Sequence, residues 1–292
     1  MKTKLPLFIT ISILSLTFLI TACGQNRRQV TLSDSVPEID KTREAKILTA
    51  FFGLDNGLTQ AARALYIKAA GKDGMPLVFS LEVDPETLDA SDFAVTTQDG
   101  NTFEVEAVTL LPAEEAFELR TALLIGEYGN HPDNPPVAVK VTGDLMSRTR
   151  VNFKGKEVDV IPLPEGPVLS YAEYFTFTDD YPYVAEGAGC DCPKETTNMV
   201  VKAVWSGGVR AINGEELGNN ELLAHKVTLV QGTDTITVSP FQLADLSDND
   251  NNIDLCLKEK GTPILLQVEA NTAIDPNDDQ NAATEVAILS RW

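Results

Sequence analysis

Phe93-Ala-Val-Thr-Thr-Gln-Asp-Gly-Asn-Thr-Phe-Glu-Val-Glu-Ala-Val-Thr-Leu110 is the stretch that decides the fold class. Two runs rich in β-branched and aromatic residues flank Asp99-Gly100. Alternation of apolar and polar residues gives a strand one apolar face. An Asp-Gly pair supplies residues that accept the positive φ of a hairpin turn. The stretch therefore predicts a β-hairpin.

Working outward, residues 77–83, 121–125 and 137–141 read as further strands, and 151–161 as a second hairpin. Residues 57–70 carry both helical and alternating spacing and predict a short helix or loop leading into a strand. Strand patterns return at 200–205, 226–230, 235–238, 264–268 and 284–289, with Gln231-Gly-Thr-Asp234 as a turn. Short strands with turns at this spacing predict an all-β chain of two β-sandwich domains, 46–161 and 199–292. Between them, 162–198 holds Pro162, Pro164, Pro167, Pro182 and Pro193 with Tyr171, Tyr174, Tyr181 and Tyr183. This segment predicts a linker. Its aromatics, with Phe175 and Phe177, are expected to pack the joint between the domains; an exposed glycan- or peptide-binding face is the alternative.

A weak internal repeat runs through the two halves. Ala50-Phe-Phe-Gly53 is matched with Ala203-Val-Trp-Ser-Gly207, and 107–112 with 235–240. Further on, 121–125 is matched with 253–257, and 135–141 with 262–268. Near-constant spacing between such matches is the mark of a duplicated module. Two copies of one sandwich resemble the immunoglobulin-like modules of bacterial surface proteins, a likeness at the level of fold plan alone.

The chain starts with Lys2 and Lys4, an apolar run over 5–20, and then Ile20-Thr21-Ala22-Cys23. A short positive region, an apolar core and small residues make a secretory signal peptide. The core is short for a membrane-spanning helix, which needs about 20 apolar residues. Ile20-Thr21-Ala22-Cys23 resembles the lipobox of bacterial lipoproteins. That resemblance implies removal of 1–22, lipid (palmitate-class acyl chains) on Cys23, and stable anchoring through several acyl chains. Residue Gly24 is not Asp, which implies an outer-membrane address in a cell with two membranes and the outer face of the cytoplasmic membrane otherwise. Residues 23–45 are polar and predict a flexible tether.

Composition bounds function. The 292 residues include 43 acidic against 23 basic ones, a net charge of −20. A polyanionic surface repels phosphate backbones, so nucleic acid is excluded as a partner. The membrane through the lipid anchor and an envelope protein or glycan are the partners expected. Of the four cysteines, Cys190, Cys192 and Cys256 remain once Cys23 is assigned to lipid. Cys190 and Cys192 are too close to pair with each other. A structural disulfide to Cys256 is expected in an exported chain, with Cys192 favoured over Cys190 as its partner because Pro193 follows Cys192 and a new segment begins there; a Cys-x-Cys metal site is the alternative.

The densest polar run is Asp248-Asn-Asp250-Asn-Asn252-Ile-Asp254-Leu-Cys-Leu-Lys-Glu259. Asp248, Asp250, Asn252, Asp254 and Glu259 match the ligand spacing of an EF-hand loop, and Ca2+ is the candidate cofactor. The match departs from the pattern at Ile253, where the turn needs Gly, and at the strand-like Leu-Cys-Leu. Residues 275–281 offer further oxygen ligands. The competing expectation is a pair of Asx-rich turns. Nucleophile-elbow, zinc-protease and phosphate-loop motifs do not occur. His131 and His225 are isolated. These features predict a non-enzymatic, lipid-anchored envelope protein with a structural or binding role. A calcium-dependent adhesion module and an envelope-polymer hydrolase are the alternatives.

Overall fold

A computed structural model describes residues 36–115, 117–177, 191–244 and 250–292. The described chain is all-β, as expected. The first unit holds β1 (Ile47–Phe51), β2 (Asp73–Phe79), β3 (Phe93–Thr97), β4 (Thr102–Thr109), β5 (Thr121–Gly126), β6 (Pro136–Val141) and β7 (Glu157–Ile161). The second holds β8 (Leu169–Phe175), β9 (Met199–Trp205), β10 (Arg210–Ala211), β11 (His225–Gln231), β12 (Asp234–Val238), β13 (Gln242–Ala244), β14 (Asn252–Leu257), β15 (Thr262–Val268), β16 (Ala273–Ile274) and β17 (Thr284–Ser290).

The Phe93–Leu110 stretch folds as read. Val95 faces Phe103 across a hairpin, and the loop turns on Gly100 at φ +82°. The loop has three residues because Thr97 N–H donates to Asn101 O; Gly100 alone takes the left-handed conformation that a three-residue loop requires.

The first unit closes as a barrel in the order β1-β2-β5-β4-β3-β6-β7, with a parallel β1–β7 pair completing the ring. Its ladder is continuous and does not split into two facing sheets. Phe52, Phe79, Leu124, Val139 and Phe153 fill the interior. The second unit is an eight-stranded sheet, β12-β11-β15-β17-β8-β9-β14-β13, beside a small β10–β16 pair. Its end strands β12 and β13 are joined by residues 239–241 alone, so the sheet curls until its ends lie within about 15 Å of each other.

Both units follow one strand plan. The pairings of β1, β2, β5, β3, β6 and β7 recur among β8, β9, β14, β11, β15 and β17. Two bulges recur with them. Ile47↔Phe79 slips before Thr49↔Val78, and Leu169↔Trp205 slips before Tyr171↔Val204. The ladder shifts between Thr96 and Thr97, and between Thr228 and Leu229. The parallel closure also recurs, as Ala50↔Val160 and Ala172↔Ile288. β4 corresponds to β12 and β13 together: β12 pairs with β11 and β13 with β14. Pro240 lies at this interruption, and a residue without N–H cannot carry a ladder.

Strand correspondence corrects the sequence repeat. Residues 136–141 match 263–268 as read, through Phe93↔Val141 and His225↔Val268. The 121–125 match is out by one, because Ala122 and Ile253 hold equivalent places opposite Leu77 and Ala203. Ala107 corresponds to Gln242 rather than Thr235, both strands being paired with β5 or its equivalent β14 there. Ala50 and Phe51 end β1, whose counterpart is β8, not β9. Part of the expected linker is β8 itself, a central strand of the second sheet. Tyr171 and Glu173 face the other unit while Tyr174 packs on the sheet's own core, so neither of its faces shows a plain apolar stripe.

The joint and its cleft as a candidate functional site

β9 is buried along its whole length. Met199, Val201, Ala203 and Trp205 enter its own core, while Val204 packs with Val78 of the barrel and Tyr171. Residues 200, 202 and 204 thus face the first unit, which explains an apolar run without alternation. Hydrogen bonds cross the same joint: Thr49 Oγ1 to Ser170 Oγ at 2.8 Å, Asn251 Nδ2 to Thr121 Oγ1 at 3.0 Å, and Asn277 Nδ2 to Gly53 O at 2.6 Å.

A buried ion cluster occupies one side of the joint. Arg120, at the start of β5, donates to Asp40 at 2.9 Å, to Glu173 of β8 at 3.3 Å and to Ser80 O at 2.9 Å. Arg291 bonds Glu82 at 2.8 Å and also Glu173, and Arg148 bonds Glu82 at 2.7 Å. Among the described residues, three acids, Asp40, Glu82 and Glu173, thus meet three arginines. The guanidinium of Arg120 lies 4.3 Å from the Tyr171 ring, and that of Arg291 lies 3.7 Å from the Phe117 ring. Burial pushes the Glu173 carboxyl up, but Arg291 and Arg120 outweigh it and hold the group below its ordinary value. At Asp40 burial wins over Arg120 and the carboxyl is raised. Nearby, Lys202 of β9 pairs with Glu118 at 3.1 Å and Asp254 at 3.2 Å.

On the other side of the joint is an apolar cleft of about 160 Å³. Phe51, Leu54, Leu58, Pro76, Leu111, Pro112 and Leu123 form its barrel wall; Gly207, Gly208, Asp250, Asn251 and Pro276 form its opposite wall. Gly207 is required by the packing: a Cβ there would lie 2.8 Å from the Phe51 ring and 3.2 Å from Pro76. The lining is apolar but for Thr121, Asn251 and the carboxylate of Asp250, which suits binding of an apolar group.

The residues singled out from sequence fall as follows. Cys192 and Cys256 form a disulfide, packed with Phe175 and Val200 against Phe117. Cys23, Cys190, Asp248, Tyr181 and Tyr183 lie outside the described residues, as does the apolar run 5–20; among the described residues no helix is long and apolar enough to cross a membrane. Asp254 is spent on Lys202. Asp250 accepts from the N–H and the side chain of Asn252, at 2.6 and 2.9 Å. Glu259 lies past the end of β14, while Asp254 lies within it. The described members of the calcium set therefore do not converge, because the strand through Ile253 replaces the turn an ion loop needs. No group of three or more His, Cys, Asp or Glu residues suited to a metal occurs among the described residues. In 275–281, Asp275 accepts from the N–H groups of Asn277 and Asp279, an Asx-type turn as the competing expectation had it. His131 N–H donates to Asp55, and His225 is buried with Nδ1 2.8 Å from Glu221 O. Tyr171 and Phe175 pack in the joint, as expected of the aromatic segment.

Sequence reasoning missed Glu82, Arg120, Glu173 and Arg291. The available signal was a lone charge inside an apolar strand, as in Tyr171-Ala-Glu173-Tyr and Val201-Lys202-Ala203.

No family model matches this chain. No curated protein matches it either. Among solved structures, it is similar to the N-terminal part of the bacterial S-layer protein SbsC, at 11% identity and a TM-score of 0.28. The similarity covers 84% of this chain and 44% of that one, so the chain spans less than half of that structure's length. A likeness this distant carries no argument about function.

Proposed function

We propose that this chain is a lipid-anchored envelope protein made of two immunoglobulin-like modules related by divergent duplication, with a structural or binding role rather than a catalytic one. The single observation that carries the role is the joint: a largely buried ion cluster, with the Val78–Tyr171–Val204 contact beside it, ties the two units together, which suits a displayed scaffold. The strand order supports the module assignment. Strands 1-2-5-4 and 3-6-7 of the first unit correspond to the ABED and CFG sets of a seven-stranded immunoglobulin domain. The shared bulges and closures support duplication. The lipobox at Cys23 supports anchoring, with 1–22 removed and the residues from 23 to 35 as a tether; Glu38 to Ala45, expected in that tether, belong instead to the folded body, where Asp40 binds Arg120 and Ala45 is buried in the barrel core. The buried disulfide suits an exported body. On this reading the outer membrane holds the protein in a two-membrane cell, and an envelope protein or glycan is its partner. Cell fractionation of Cys23→Ser tests the anchor: the variant is expected to leave the membrane fraction or to accumulate as a precursor. Normal processing and retention would refute it.

A further inference from the structure

The cleft and the ion cluster occupy equivalent places on the two sides of the joint. Strand correspondence sets Pro76 of β2 at the place of Lys202 in β9, through Leu77↔Ala122 and Ala203↔Ile253. The same registers set Leu123 at the place of Asp254. Phe51 of β1 stands where β8 has Glu173, through Ala50↔Val160 and Ala172↔Ile288. Read in the other direction, Gly208 and Asn251 stand where the first unit has Glu82 and Arg120. Each unit thus meets the other through the same face, and the equivalent residues Val78 and Val204 pack together in one cluster. That is the geometry of an isologous dimer, in which every contact has a mate.

One mate is filled from within the chain. Arg291 lies over Phe117 and reaches Glu82 and Glu173. Its counterpart in the first unit is Leu163, which packs against the barrel core instead. The other mate is the open cleft. Four charged residues of the cluster are replaced there by apolar or side-chain-free ones, Glu173 by Phe51, Lys202 by Pro76, Asp254 by Leu123 and Glu82 by Gly208, and Arg120 is replaced by the neutral Asn251.

From this exchange we infer that the cleft is a binding site for a small, uncharged, apolar ligand, occupying the place that the Arg291 guanidinium takes in the mate site. About 160 Å³ matches the room that a single benzene-sized ring needs. A charged ligand would give up its hydration against walls that carry no compensating arginine, and Asp250 in the lining opposes anions. This inference stands on the body alone and goes beyond the envelope assignment.

The test uses the chain from residue 24 onward, which contains every described residue, with toluene as the probe. Toluene at about ten times its Kd is expected to raise the unfolding midpoint by roughly 3 °C. Intermolecular NOEs are expected from toluene to the methyl groups of Leu54 and Leu58. Benzoate and benzamidine are expected to give neither. Leu123→Trp, which fills the cleft, is expected to abolish the NOEs; Leu58→Trp, from the opposite part of the wall, serves if the first variant unfolds. Absence of a shift and of NOEs at saturating toluene would overturn the inference, as would NOEs undiminished in the filled variants or an equal response to benzoate.

Discussion

Glu173 shows how much one side chain decides in this protein. Its carboxylate holds Arg120 and Arg291 and accepts from the Tyr171 hydroxyl at 3.0 Å, all out of water. Buried ion pairs do not of themselves stabilise a fold, but removing one partner strands the others. Glu173→Gln keeps the shape and removes the charge, leaving three arginines against two carboxylates. It is expected to cost about 3 kcal/mol in urea denaturation. His225 sets a pH dependence of a different origin. Burial depresses its pKa below the ordinary 6.5. The neutral ring's contribution is complete above 6.5 and is lost as pH falls toward the folded value, because only the unfolded chain protonates readily. Asp73 acts in the opposite sense: burial raises it to about 6, so proton uptake below that pH and above 3.8 adds stability. The midpoint of His225→Leu, measured from pH 7.5 to 5.5, is expected to fall less on acidification than that of the parent chain.

At the scale of the element, β9 and the turn after it fix how closely the units approach. Val200, Lys202 and Val204 face outward from the second core, and Gly207 lets the chain pass the Phe51 ring. Gly207→Val would press on a fully buried ring and on Pro76, with no flexible end to yield. It is expected to destabilise the chain by about 1–3 kcal/mol and to shift the resonances of Phe51 and Pro76, which a two-dimensional NMR spectrum reads directly. Much of this was legible in advance. Residues 200–205 of β9 read as a strand because they are apolar but for Lys202 and rich in valine. β8 escaped because Leu169-Ser-Tyr-Ala-Glu-Tyr-Phe mixes one face for its own core with another for the joint, and a bulge between Leu169 and Tyr171 breaks its alternation.

For the whole molecule, the joint predicts a single cooperative unit. Separate domains joined by a short linker unfold in separate steps unless their interface is large and well matched. Here the interface holds the ion cluster, the Val78–Tyr171–Val204 contact and the hydrogen bonds from Asn251 and Asn277. Both tryptophans, Trp205 and Trp292, belong to the second unit. Urea transitions followed by tryptophan fluorescence and by far-ultraviolet circular dichroism are therefore expected to coincide in the parent chain and to separate in Glu173→Gln. Non-coincident transitions in the parent chain would show that the joint does not couple the units.

Local chemistry was enough for the all-β class and the hairpin at Asp99-Gly100, and it favoured Cys192 over Cys190 as the partner of Cys256. Strand alternation and turn conformation depend on residues within one or two strands, so they are written in adjacent letters. The tertiary structure alone decided the closure of the barrel, the common strand plan of the two units and the fate of Asp254, which pairs with Lys202 rather than joining an ion loop. It also decided which charges share the joint. Arg120 and Glu173 are 53 residues apart, and Arg291 and Glu82 are 209 apart. Nothing in their neighbourhoods names the partner, because the pairing is set by which faces of two curled sheets come to rest together.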